Sequence, residues 1–223
     1  PDSTRIYTDL ASSGGFAVGK YGISKGKESY VFFTDKDSTR VYTDISGKAV
    51  AGGFAVGKYG LAKNQGEQYM YITPENYMIG HRAGENIYHD KAKYNIFVGF
   101  ESGFNDTTGS RNTFIGFSSG YANAFGDRNI FIGDSSGYSN DAGNDNILIG
   151  PSSGFQAFGA SDNVIIGSSA GYRNQGDFNV FLGNEAGFNN ALGWSNVFLG
   201  NRAGRHNDGG IQNVFIGDST GFN

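Results

Sequence analysis

Asn179-Val180-Phe181-Leu182-Gly183-Asn184-Glu185-Ala186-Gly187-Phe188-Asn189-Asn190-Ala191-Leu192-Gly193-Trp194-Ser195 is followed at once by Asn196-Val197-Phe198-Leu199-Gly200-Asn201-Arg202-Ala203-Gly204, so the chain restarts after 17 residues. Asn, three apolar residues and Gly recur at Asn95, Asn112, Asn129, Asn146, Asn163, Asn179, Asn196 and Asn213, at intervals of 17, 17, 17, 17, 16, 17 and 17. An earlier unit begins at Asn76, 19 residues before Asn95. Each unit continues as Gly-x-x-(Ala/Ser/Thr)-Gly, nine times from 80–84 to 217–221. In seven of the nine an aromatic follows: Phe104, Tyr121, Tyr138, Phe155, Tyr172, Phe188 and Phe222. A polar turn closes the unit. A fixed short period is the signature of stacked coils.

Seventeen residues cannot hold a helical hairpin, and glycine at this density breaks helices. Two short strands and two turns fit the length. The fold class expected is all-β, a β-roll or β-solenoid of about nine coils over residues 76–223, roughly 40 Å long at ~4.8 Å per strand. Residues 1–75 read as a related β region with a longer repeat of about 36 residues. Asp2-Ser3-Thr4-Arg5-Ile6-Tyr7-Thr8-Asp9 returns 35 residues on as Asp37-Ser38-Thr39-Arg40-Val41-Tyr42-Thr43-Asp44, and 14–22 returns 38 residues on as 52–60. The alternation in 40–43 and 68–73 marks strands.

Composition agrees. The 37 glycines among 223 residues come with three prolines and no strict triplet period, which excludes collagen. Aromatics at 15% exclude a disordered linker. The net charge of −4 argues against a nucleic-acid partner, since phosphate binding needs clustered Lys and Arg. No cysteine is present, so neither disulfides nor thiolate metal sites are available. No apolar run approaches the ~18 residues of a bilayer span, so direct membrane insertion is not expected.

Neighbouring strand residues point to opposite faces. The triplets are apolar at positions one and three, as in Ile96/Val98, Ile130/Ile132, Val164/Ile166 and Val197/Leu199, and also at position two. Position two is the ladder Phe97, Phe114, Phe131, Leu148, Ile165, Phe181, Phe198 and Phe215. One face fills the chain's own coil and the other needs a cover. Burying a Phe is worth a few kcal/mol, so an exposed ladder would form a patch beyond what a monomer tolerates. The simplest cover is another copy of the chain. Phe125, Phe158, Phe178, Leu192, Trp194 and Ile211 in the turns fit inter-chain packing as well. The alternative is a monomer whose wide, flattened coil shares these residues between opposite walls.

The Asn-x-x-Ile-Gly step followed by Gly-x-x-(Ala/Ser)-Gly resembles the head repeats of YadA-like trimeric autotransporter adhesins. The 17-residue form resembles a repeat of Bacteroidetes cell-surface and tail-fibre-like proteins, and Phe16–Gly22 and Phe54–Gly60 resemble their N-terminal regions. The resemblance covers about residues 76–223. It implies a homotrimeric β-roll, outside the cell or on a bacterial surface, that mediates attachment to a protein or glycan receptor. The longer unit and the bulky Phe at position two depart from the YadA pattern.

Chemistry-bearing constellations are sparse. His81, Glu85 and His89 stand four apart, which on a helix would make a metal site. His81 lies inside a glycine-framed coil element, so these three read as loop residues. Phosphate-loop and repeated calcium-turn patterns are absent from the sequence. Asp177 and Asp208 read as solvated turn caps. No catalytic residue, cofactor or metal is expected. The Asn ladder (Asn95, Asn112, Asn129, Asn146, Asn163, Asn179, Asn196, Asn213) reads as stacked amides bonding coil to coil, in preference to an ice- or glycan-binding array. Receptor contact is expected from the variable turns, with Trp194 the candidate recognition residue, although packing on a neighbouring chain suits it better. The function expected is a non-catalytic fibre or adhesin segment. A tail fibre of a phage or contractile injection machine, and an ice- or glycan-binding monomeric solenoid, are the alternatives.

Overall fold

The computed structural model describes residues 66–222 without a break, with side chains from residue 69, and upstream the backbone of residues 4–9, 15–20, 29–34, 39–41 and 54–59. The described residues are all β and turn, with no helix among them. Two compact units divide at Phe54/Ala55. The first holds β1 (Thr4–Asp9), β2 (Gly15–Lys20), β3 (Ser29–Thr34) and β4 (Thr39–Val41), an antiparallel sheet in sequential order. Pairing of β2 with β3 shifts register between Val18 and Gly19.

The second sheet begins with β5 (Phe54–Tyr59) and β6 (Gly66–Ile72). The regular period begins at Asn76, and β5 and β6 ahead of it pair into the same sheet as the coil strands. β5 repeats the sequence of β2 and β4 that of β1, yet β1, β2 and β4 share the first sheet while β5 joins the second.

From β7 (Asn76–Ile79) onward the chain coils. β8 (Asn95–Val98), β9 (Thr113–Ile115), β10 (Ile130–Ile132), β11 (Ile147–Ile149), β12 (Val164–Ile166), β13 (Val180–Leu182), β14 (Val197–Leu199) and β15 (Val214–Ile216) follow. These nine strands pair in parallel, each with the next, making a β-solenoid of eight turns. Register is set by the period: Phe131 pairs with Phe114 on one side and Leu148 on the other. β6 and β7 are antiparallel, joined by a tight turn in which Thr73 Oγ1 accepts the Asn76 N–H at 2.8 Å.

Each coil holds one strand, not the two that its length allowed. The Gly-x-x-(Ala/Ser/Thr)-Gly element is turn, because three of its five residues have positive φ, as at Gly116 (138°), Ser118 (49°) and Gly120 (61°). An extended segment cannot form from such angles. Glycine is required at both ends of the element. A Cβ on Gly116 would sit 2.4 Å from the Gly133 carbonyl oxygen of the next coil, and one on Gly120 would sit 2.5 Å from the Phe114 ring. The non-glycine residues with positive φ are tied down by backbone bonds between coils, such as Ser118 N–H to Phe100 O and Arg128 N–H to Ser110 O.

Position two of each strand points inward. Phe97, Phe114, Phe131, Phe181 and Phe198 are 0% exposed, with Leu148, Ile165 and Met78 buried in the same column. Rings stack at 5.0 Å (Phe97–Phe114), 4.7 Å (Phe114–Phe131) and 4.8 Å (Phe181–Phe198). Small residues line the wall opposite: Ser102, Ser119, Ser136 and Ser153 donate their hydroxyls to strand carbonyls of the next coil at 2.9–3.1 Å. Ala170, Ala186 and Ala203 fill the same place further on.

Candidate interaction surfaces

The Asn ladder lies inside the coil. Each side-chain oxygen accepts the backbone N–H of the next Asn, from Asn95 N–H to Asn76 Oδ1 at 3.0 Å through to Asn213 N–H to Asn196 Oδ1 at 2.9 Å. The amide groups of Asn95, Asn112, Asn129, Asn146, Asn179 and Asn196 also donate to a carbonyl of the turn that closes their own unit, 14 residues on, at 2.7–3.0 Å. Asn95 to Asn196 are buried, so these groups satisfy the backbone of the coil corner and do not present themselves to a ligand.

A second buried polar column runs eleven residues after each ladder Asn. Sequence reading missed it, although the recurrence was there to be found. It consists of Asp106, Asn123, Asn140, Asn174 and Asn190, with Ala157 replacing the amide in one coil and Asn207 continuing the column half-buried. Asp106 is the only carboxylate in it. Its Oδ2 accepts from Asn112 at 3.1 Å and from Asn123 at 3.2 Å, while Oδ1 has no well-directed donor among the described residues. Burial pushes its carboxyl well above the usual carboxylate range, against the smaller opposing effect of those amide donors.

Positions one and three point outward. Along the nine strands, seventeen of these eighteen residues are apolar, Thr113 being the exception. They range from half-buried, as at Ile147, Ile149, Val164 and Ile166, to exposed, as at Ile96, Ile130 and Leu182. A regular double row of β-branched and Leu side chains therefore faces outward from the sheet.

Two further sets of side chains repeat along the surface. The aromatics after each second glycine form a half-buried stack, Phe104–Tyr121–Tyr138–Phe155–Tyr172–Phe188, with centroids 4.9–5.1 Å apart. Arg82 lies over Phe104 at 4.3 Å and Arg205 over Phe188 at 5.0 Å, so a guanidinium covers each end. In the turns, Phe125, Phe158, Phe178, Leu192, Trp194 and Ile211 are all exposed. Trp194 is held in its turn by its carbonyl, which accepts the Gln212 N–H at 3.1 Å, and leaves 43% of its surface open.

The three residues spaced four apart do not converge. His81 packs its ring between Tyr69 and Phe100, His89 lies against Tyr71, and Glu85 is exposed. Burial lowers the His89 pKa, opposed by the nearby Asp90 charge. Among the described residues no three His, Asp or Glu side chains come close enough to hold a metal ion, and no helix is long and apolar enough to cross a membrane. Comparison with protein families, with curated proteins and with solved structures finds no match to this chain.

Proposed function

We propose that this chain is a non-catalytic segment of an extracellular or cell-surface fibre that mediates attachment and assembles as a homotrimer through the outward face of its solenoid sheet. The observation that carries the reading is the double apolar row at positions one and three. Over eight coil steps of ~4.8 Å the rows run ~38 Å, and with their flanks they present on the order of 600 Å². That is the upper end of what a monomer exposes, and near the roughly 800 Å² per partner of a standard interface. The identical spacing of every row lets copies of the chain interdigitate along their whole length. The number three, the surface location and the attachment role follow from the resemblance of the repeat to trimeric adhesin heads.

The inward Phe column is already complete within one chain, so assembly adds cover to the outer rows and need not build the core. Sedimentation velocity on the purified chain tests this directly. Three times the chain mass is expected at micromolar concentration, and a double Ile147→Lys, Val164→Lys variant should sediment as a folded monomer with unchanged β circular dichroism. A wild-type chain that stays a folded monomer overturns the assembly. Beads coated with the trimer should adhere to a target cell surface more than uncoated beads, and failure to do so overturns the attachment role.

A further inference from the structure

Ten and twelve residues after each ladder Asn, side chains stand on either side of the buried polar column and border a groove along the turns. Gln156, Arg173, Asn189 and His206 form one wall, one residue per coil, and Phe158 and Asp208 stand on the other. They enclose a half-open cavity of about 610 Å³. The same two positions at the other end of the solenoid, including Asn86, Asn105 and Thr107, border a second cavity of about 560 Å³. Both volumes fall within the ~300–1,000 Å³ of small-molecule sites. The groove lies about half a coil along the chain from the outward apolar rows.

The wall is a ladder of planar hydrogen-bonding groups. Arg173 Nε donates to Gln156 Oε1 at 3.2 Å, Asn189 Nδ2 lies 3.2 Å from His206 Nδ1, and Asn86 Nδ2 donates to Asn105 Oδ1 at 3.0 Å. These bonds orient the groups without exhausting them. The terminal nitrogens of Arg173 have no partner among the described residues, whereas Asn189 Oδ1 is unpartnered but closed to solvent. Opposite them, Phe158 leaves 55% of its surface open. The formal charges are balanced, Arg173 against Asp208.

From this arrangement we infer that the groove between the Gln156–His206 wall and Phe158 binds a linear, neutral oligosaccharide lying along the solenoid axis. Paired amide and guanidinium groups suit vicinal hydroxyls, and an exposed ring suits the C–H face of a pyranose. The absence of net charge in the groove disfavours a polyanion. An extended peptide fits less well, because the backbone it would pair with is already used. The N–H groups of Gln156, Arg173 and Asn189 donate to Tyr172, Phe188 and Arg205 carbonyls of the next coil at 2.7–2.9 Å, so no strand can be added at this wall. A chain running along the axis meets one wall side chain every ~4.8 Å, so affinity rises with length.

The inference rests on the attachment role but not on the trimer. Its test is calorimetric titration of the whole chain with cellohexaose, chitohexaose and mannohexaose, and with their disaccharides, beside a twelve-residue Ser/Asn/Thr peptide as the competing ligand class. At least one hexasaccharide should bind, at least tenfold more tightly than its disaccharide. Phe158→Ala and Arg173→Ala should each weaken binding at least tenfold with unchanged melting and unchanged sedimentation. Binding that survives both substitutions, binding of the peptide alone, or no binding of any hexasaccharide overturns the inference. A monomer that binds the hexasaccharide upholds the groove while overturning the trimer, so the two readings fail separately.

Discussion

Asn123 Nδ2 donates to Asp106 Oδ2 at 3.2 Å inside a column built, Ala157 aside, of Asn side chains, so a carboxylate occupies a place that the next coils fill with Asn. In the coil around Asn140 the equivalent side-chain oxygen accepts the Gly143 N–H at 2.9 Å, and the amide donates to the Gly143 carbonyl at 3.2 Å. A carboxylate has nothing to donate to that carbonyl, and ionising it here places an unpaired charge where water does not reach.

Asp106 should therefore make stability depend on pH in an unusual direction. Its folded-state pKa lies above the ordinary value of 3.8, so between those two values the unfolded chain has lost the proton that the folded chain keeps. Unfolding then releases a proton, and the contribution of Asp106 to stability falls as pH rises through that window. Asp106→Asn should raise the melting temperature at pH 7, with the gap to wild type closing as the pH falls through that window toward 3.8. A gap that widens in acid contradicts the assignment.

Phe131→Ala should cost about 3–5 kcal/mol per chain, because it opens a cavity between Phe114 and Leu148. Phe215, at the last strand and only half-buried, should cost roughly half as much on the same substitution. Denaturant unfolding of both variants measures the gradient. Equal losses would mean that burial along the column is uniform.

Gly133→Ala and Gly159→Ala separate backbone clash from backbone strain. A Cβ at Gly133 meets the Gly150 carbonyl carbon at 2.6 Å with φ at 134°, whereas one at Gly159 meets nothing within 4 Å at φ 67°. The first should cost more than about 2 kcal/mol and the second about 1 kcal/mol. Thermal unfolding ranks them, and a reversed order contradicts the inter-coil contact.

Trp194→Ala tests whether the exposed indole packs on a neighbouring chain. If it does, melting of the assembled form should drop by several degrees while glycan and cell-surface binding per folded assembly stay unchanged. Unchanged melting with lost binding assigns Trp194 to recognition instead.

The sequence by itself determined the winding. The interval of 17 and the Asn-triplet-Gly step fix stacked coils paired in register, although the length allowed two strands per coil where the positive φ of the glycine-framed element leaves one. It also determined that both faces of every strand are apolar, as in Ile130-Phe131-Ile132. Tertiary structure decided which face is the inside. The Phe residues enter because the wall opposite them is built of Ser119, Ser136, Ala170 and Ala186 and of glycines such as Gly120, which leave room for a stacked ring. That room exists only once the chain has curled back on itself, a non-local event that strand periodicity does not encode. The same closure placed the Asn ladder beside the column of Asp106 and Asn123, eleven residues away in sequence, and made one polar interior of two recurrences that are separate along the chain.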